Sequence, residues 1–170
     1  MSDNEDRWAE LCSKYASGNT KNHNDAFVVG RLAIHLRKAF AEACGCAESY
    51  VFHYRYEHGY IPEADTHEQV KDGWSSVAGT PVGWVFGLGI QLEIAPNAYP
   101  KTIVVFPVTA KHAGSLLELE STLFSGTEQI RFSNYPNDLR AVAERMYQGL
   151  DKALDDWIAI NPEPRKFGFS

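Results

Sequence analysis

The chain has 170 residues, 44% apolar and 22% charged, with a formal net charge of −6. That length carries one domain, 1–170, with a sizeable core. The acidic balance counts against nucleic-acid and anionic-membrane surfaces, which want clustered Lys and Arg, and no apolar run reaches the roughly 18 residues of a spanning helix.

The opening MSDNEDRWAELCSKY is polar and acidic, unlike a secretory leader. Three cysteines, an odd number, suit a reducing compartment, so a cytoplasmic location is expected. Asp3 to Ala16 reads as a short helix with Trp8, Leu11, Cys12 and Tyr15 on one stripe. Ser17–Asn24 (SGNTKNHN) reads as a polar loop, so 1–23 is an N-terminal helix with its connection. Asn24 or Asp25 then caps a longer helix to Cys44, stopped by Gly45.

Glu48 to His58 has the aromatic and β-branched alternation of a strand. It sets Tyr50, Phe52, Tyr54, Tyr56 and His58 on one face, and Val51, His53, Arg55 and Glu57 on the other. Gly59 to Gly79 is the least legible stretch, with a helix expected near Thr66–Val77, capped by Thr66. From Thr80 to Val108 the chain reads as two long strands joined at Ala95–Lys101. In the first, Trp84, Phe86, Leu88, Ile90, Leu92 and Ile94 share an apolar face, opposite Gly83, Val85, Gly87, Gly89, Gln91 and Glu93. The second, Thr102–Val108, is apolar on both faces, which suggests a central place in the sheet.

Ala110–Gly114 turns the chain, and Leu116–Leu119 and Gln129–Phe132 are candidate strands around a turn at Ser125–Thr127. A last amphipathic helix opens at Asn137 and ends at Asn161–Pro162. The residues 161–170 form a proline-broken tail, expected to be mobile. The fold class is therefore α+β: an antiparallel or mixed sheet of four to six strands, flanked by N-terminal helices and closed by a long C-terminal helix.

No stretch holds a complete catalytic constellation. His53, Arg55 and Glu57 could supply a proton-transfer group, an anion clamp and a carboxylate on one strand face. A solvated strand face beside an aromatic core face is the plainer reading. Cys44 and Cys46 with His53, His58 and His67 match zinc spacing only loosely, because His53 and His58 lie an odd number of residues apart and point to opposite faces. Gly83, Gly87 and Gly89 lie within a strand and lack the ending of a phosphate loop. They fit close packing of a neighbour, or a flat face that receives a partner. Glu93-Ile94-Ala95 lacks the lysine of a metal-dependent nuclease, and Lys111-His112 reads as a surface pair in a turn.

The residues thus favour a non-catalytic cytoplasmic binding protein working through protein–protein contacts: an inhibitor, immunity protein, chaperone or accessory subunit. Tyr54, Arg55, Tyr56, His58, Tyr60, Trp74, Gly87, Gly89 and Glu93 are the candidate binding residues, since Tyr and Trp are enriched at interfaces. The acidic total suits a basic protein partner, with a homodimer on an unpaired sheet edge as a further reading. No metal or cofactor is expected. The alternative is a small-molecule- or metal-binding enzyme with its pocket at the His53/Arg55/Glu57 face.

Overall fold

The computed structural model describes residues 3–56, 67–81, 83–93, 95 and 101–160. The first element, α1 (Asp3–Cys44), is one helix of 42 residues. This corrects the expectation of two helices around a loop at Ser17–Asn24. Relative to alanine, the residue types in Ser17–Asn24 disfavour a helix by roughly 4 to 5 kcal/mol in sum. The turns anchored in the core from Asp25 onward propagate the helix back through it. Burial begins only at Asp25 and continues through Val29, Leu32, Ala33, Leu36 and Phe40 at helical spacing.

Gly45, at φ 71°, ends α1 as expected. Its N–H reaches the Glu42 carbonyl and the Cys46 N–H reaches Ala41, both at 3.1 Å, which satisfies two carbonyls of the last turn. A single 3₁₀ turn, Glu48–Tyr50, then leads into β1 (Val51–Arg55). Arg37 of α1 ties this junction down. Its guanidinium donates to the Val51 carbonyl at 2.6 Å and to the Glu48 carbonyl at 2.7 Å.

The segment 66–77, expected to be helical, instead holds β2 (Glu68–Val70) and one turn of helix, α2 (Gly73–Ser76). The Asp72 carboxylate accepts from the Ser75 N–H at 2.8 Å and caps that turn. β3 (Ala78–Thr80), β4 (Gly83–Glu93), β5 (Lys101–Ala113), β6 (Leu116–Ser121) and β7 (Phe124–Arg131) follow. The described strands form one antiparallel sheet in the order β2-β1-β4-β5-β6-β7, with β3 also paired to β4. Seven described strands exceed the expected four to six, because β2 and β3 are three-residue strands too short to show a period.

β5 is central, as its two apolar faces indicated. It runs on to Ala113, past the turn expected at Ala110. Pro107 is tolerated inside it because β6 has ended there: Val108 faces Ser121, the last residue of β6, and the Pro107 carbonyl accepts from the Ser121 hydroxyl at 2.8 Å. The chain reverses between β6 and β7 at 122–123. Ser125–Thr127, expected as that turn, is instead an irregularity inside β7, where Gly126 takes φ 71° and the register against β6 shifts. A bulge of this kind twists an edge strand away from sheet-to-sheet pairing.

A 3₁₀ turn, Phe132–Asn134, leads into α3 (Tyr135–Ile160). The side chains of α1 and α3 bury the same sheet face. Phe86, Leu88 and Ile90 of β4, Val104, Phe106 and Val108 of β5, and Leu117 and Leu119 of β6 meet Leu32, Leu36 and Phe40 of α1 and Val142, Met146 and Leu150 of α3. Phe40 and Phe106 touch edge to face at 5.3 Å. The period-two reading of β4 therefore holds for its described residues, while Ile94 and most of the connection at 95–101 lie outside them.

Candidate functional site

The register of β1 against β4 decides which predicted residues can meet a partner. Val51 faces Ile90 and His53 faces Leu88, so both lie on the helix-covered side. Phe52 faces Gly89 and Tyr54 faces Gly87, on the opposite side. The His53 face was expected to be solvated and the aromatic face to be core. The structure places His53 under the helices, 7% exposed, while Tyr54, Tyr56 and Val105 form a small second cluster on the other face.

Tyr54 explains the glycines. A Cβ on Gly89 would lie 2.5 Å from Tyr54 Cε2 and 3.0 Å from Ile103 Cγ2, and one on Gly87 would lie 3.0 Å from Tyr54 Cβ. The phenol ring thus occupies the space a side chain at Gly89 would fill, while Gly87 is crowded by the Cβ and carbonyl of Tyr54. Tyr56 stacks on His67 with centroids 4.2 Å apart. Both tyrosines are buried, so they build the sheet rather than present a surface. Arg55 is exposed and Glu93 half-buried, its carboxylate accepting from Gln91 Nε2 at 2.9 Å. His58, Tyr60 and Glu57 lie outside the described residues. The described members of the set are thus divided between a buried group (Tyr54, Tyr56, Gly87, Gly89) and exposed or half-exposed positions (Arg55, Trp74, Glu93).

Trp74, like Arg55, does reach the surface, and is 45% exposed. Its ring lies across Gly30 of α1, where a Cβ would collide with it, and contacts Phe27 at 4.9 Å. Phe27 is itself 54% exposed, and the pair makes an aromatic ledge on α1 and α2.

The enzyme-like groups have ordinary structural work. Burial, reinforced by the Arg37 guanidinium, drives the pKa of His53 down to about 4, and its Nδ1 has no hydrogen-bond partner among the described residues. Burial pushes the Cys44 thiol up to about 12, which keeps it protonated and a poor nucleophile. Cys44 and Cys46 line an apolar cavity of about 220 Å³ with Ile90, Leu92, Leu150 and Leu154. Among the described residues no group of three or more His, Cys, Asp or Glu side chains is placed to hold a metal.

One polar constellation escaped the sequence reading. His112 lies in β5, not in a turn, and its Nδ1 is 2.7 Å from Asp25 Oδ1 while its Nε2 is 3.1 Å from the Gly114 carbonyl. Both oxygens are acceptors, and a single ring N–H serves one of them at a time. The second Asp25 oxygen accepts from Lys21 at 3.2 Å. A hydrolytic triad would aim Nε2 at a hydroxyl. Here it is spent on the hairpin backbone, and the pair pins the midpoint of α1 to the β5–β6 turn. A polar cleft of about 640 Å³ runs beside it, lined by Ser17, Thr20, Lys21 and Asn24.

Among the described residues, the most exposed large apolar side chains lie in the first half of α1. Every residue from Asp6 to Asn24 is exposed, about 28 Å of helix. Trp8 is 71%, Leu11 64% and Tyr15 76% exposed, and Cys12 is exposed beside them. They stand at i, i+3, i+4 and i+7. The stripe was legible in the sequence, but its exposure was not, because amphipathic stripes usually face the chain's own core. No described helix is long and apolar enough to cross a membrane. The chain matches no protein-family model, and neither curated proteins nor solved structures show a significant match to it.

Proposed function

We propose that the protein is a non-catalytic binding protein, and that it docks by inserting the exposed half of α1 into an apolar groove on a protein partner. The observation that carries this is the Trp8, Leu11, Cys12 and Tyr15 stripe, which no described residue covers. An i, i+3, i+4, i+7 set of large apolar side chains is how an amphipathic helix anchors in a groove. Trp and Tyr are the residues that most often dominate such contacts. Two of the neighbouring lysines are engaged within the helix, Lys14 with Glu10 at 3.0 Å and Lys21 with Asp25 at 3.2 Å. The chain's three free thiols suit a reducing, cytoplasmic setting.

The test replaces Trp8, Leu11 and Tyr15 by alanine together. All three are exposed, so the melting temperature should hold within the equivalent of about 0.5 kcal/mol per site. Partners retained from the native host by the parent chain should be lost by the variant. Equal retention by both chains would overturn the assignment of the surface. A parent dimer that becomes monomeric in the variant would identify the groove as belonging to a second copy, against a foreign partner.

A further inference from the structure

We infer that Ser17–Asn24 is a helix–coil hinge built into α1, and that it governs whether the stripe upstream is presented as a rigid extension of the body. The inference rests on the docking role of that stripe for its purpose, but its physical basis is separate. Seven of the eight residues in SGNTKNHN are poor helix formers, Lys21 being the exception. All eight are exposed, so no tertiary burial compensates. Gly18 has no packing reason to be glycine: a Cβ built there meets nothing within 4 Å. Side-chain support is two bonds: Lys21 pairs with Asp25 at 3.2 Å, an i,i+4 contact of modest strength, and Thr20 Oγ1 donates back to the Ala16 carbonyl at 3.0 Å, a bond that often bends helices.

The hinge has a defined lower end. Asp25 is the first buried position of α1, fixed by His112 at 2.7 Å, and Val29 enters the core one turn later. Opening therefore stops at Asp25. Above the hinge, Asp3–Ala16 is too short to hold a helix well by itself in water. Its helicity is inherited through Ser17–Asn24 or induced by whatever covers Trp8, Leu11 and Tyr15. Docking then orders the hinge, and an ordered hinge favours docking.

Hydrogen exchange on the full chain, read by mass spectrometry, tests this without any partner. Amides of Ser17–Asn24 should exchange on the order of 100-fold faster than those of Val29–Phe40. Replacing Gly18, Asn19 and Asn22 by alanine should slow exchange roughly 30-fold in the hinge, and carry that protection upstream into Arg7–Ala16. Val29–Phe40 should not change. Protection in the parent hinge equal to that of Val29–Phe40 would overturn the inference, as would alanines that slow neither window. The exchange result and the alanine-stripe result are independent, so either idea can fail alone.

Discussion

His53 sits where an imidazole is penalised for taking a proton. It faces Leu88 and Val70 under the helices, with Arg37 adding repulsion, and its pKa falls from 6.5 to about 4. The unfolded chain binds the proton more readily, so protonation favours unfolding. The contribution of His53 to stability is complete above about 6.5 and is lost as pH falls towards 4, by at most about 3 kcal/mol. Replacing His53 by leucine should flatten that part of the urea-unfolding midpoint between pH 7 and pH 4.5. An unchanged slope would place the acid sensitivity elsewhere.

Gly89 gives a second residue-scale test. Gly89→Ala should destabilise by roughly 1 to 3 kcal/mol, because the Tyr54 ring, 2% exposed, has nowhere to go. In a Tyr54→Ala background the same change should be close to neutral. A full cost in both backgrounds would remove Tyr54 as the reason for the glycine. The sequence signalled the glycines but not their occupant, because which side chain crosses them depends on the β1–β4 register, and register is a tertiary fact.

Among elements, β4 and β5 were the most legible, since alternation and two-sided apolarity follow directly from burial. α1 was legible in two pieces and illegible as one. The unfavourable types in SGNTKNHN weigh locally, whereas the helix anchored by burial from Asp25 onward adds one bond per residue and propagates back through the poor stretch. The one-turn helix α2 and strands β2 and β3 are too short for any period to register, and they are set by Asp72 and by pairing with β1 and β4. α3 opens at Tyr135, before the expected Asn137. The side chain of Asp138 holds Arg131 at 3.0 Å and accepts from the Arg131 N–H at 2.9 Å, which fixes the approach to the helix.

At the scale of the whole molecule, one sheet face is buried under two helices, and one of those helices extends well past what it covers. The candidate binding residues read from the sequence were chosen by residue type. The structure sorts the described ones: Tyr54 and Tyr56 are buried, Arg55 and Trp74 are exposed, and Trp8, Leu11 and Tyr15 are more exposed than Trp74. Aromatic content was therefore legible as composition, and its exposure was not.

The most direct test of the account is the reactivity of Cys12, the one thiol on the exposed stripe. In buffer it should react with a maleimide much faster than Cys44 and Cys46, which are half-buried. In extract of the native host, a docked helix should slow Cys12 on the order of tenfold or more, since a buried thiol reacts only when the complex opens. Cys12 labelling that is equally fast in buffer and in extract, at partner-saturating concentrations, would contradict the claim that α1 is the docking element.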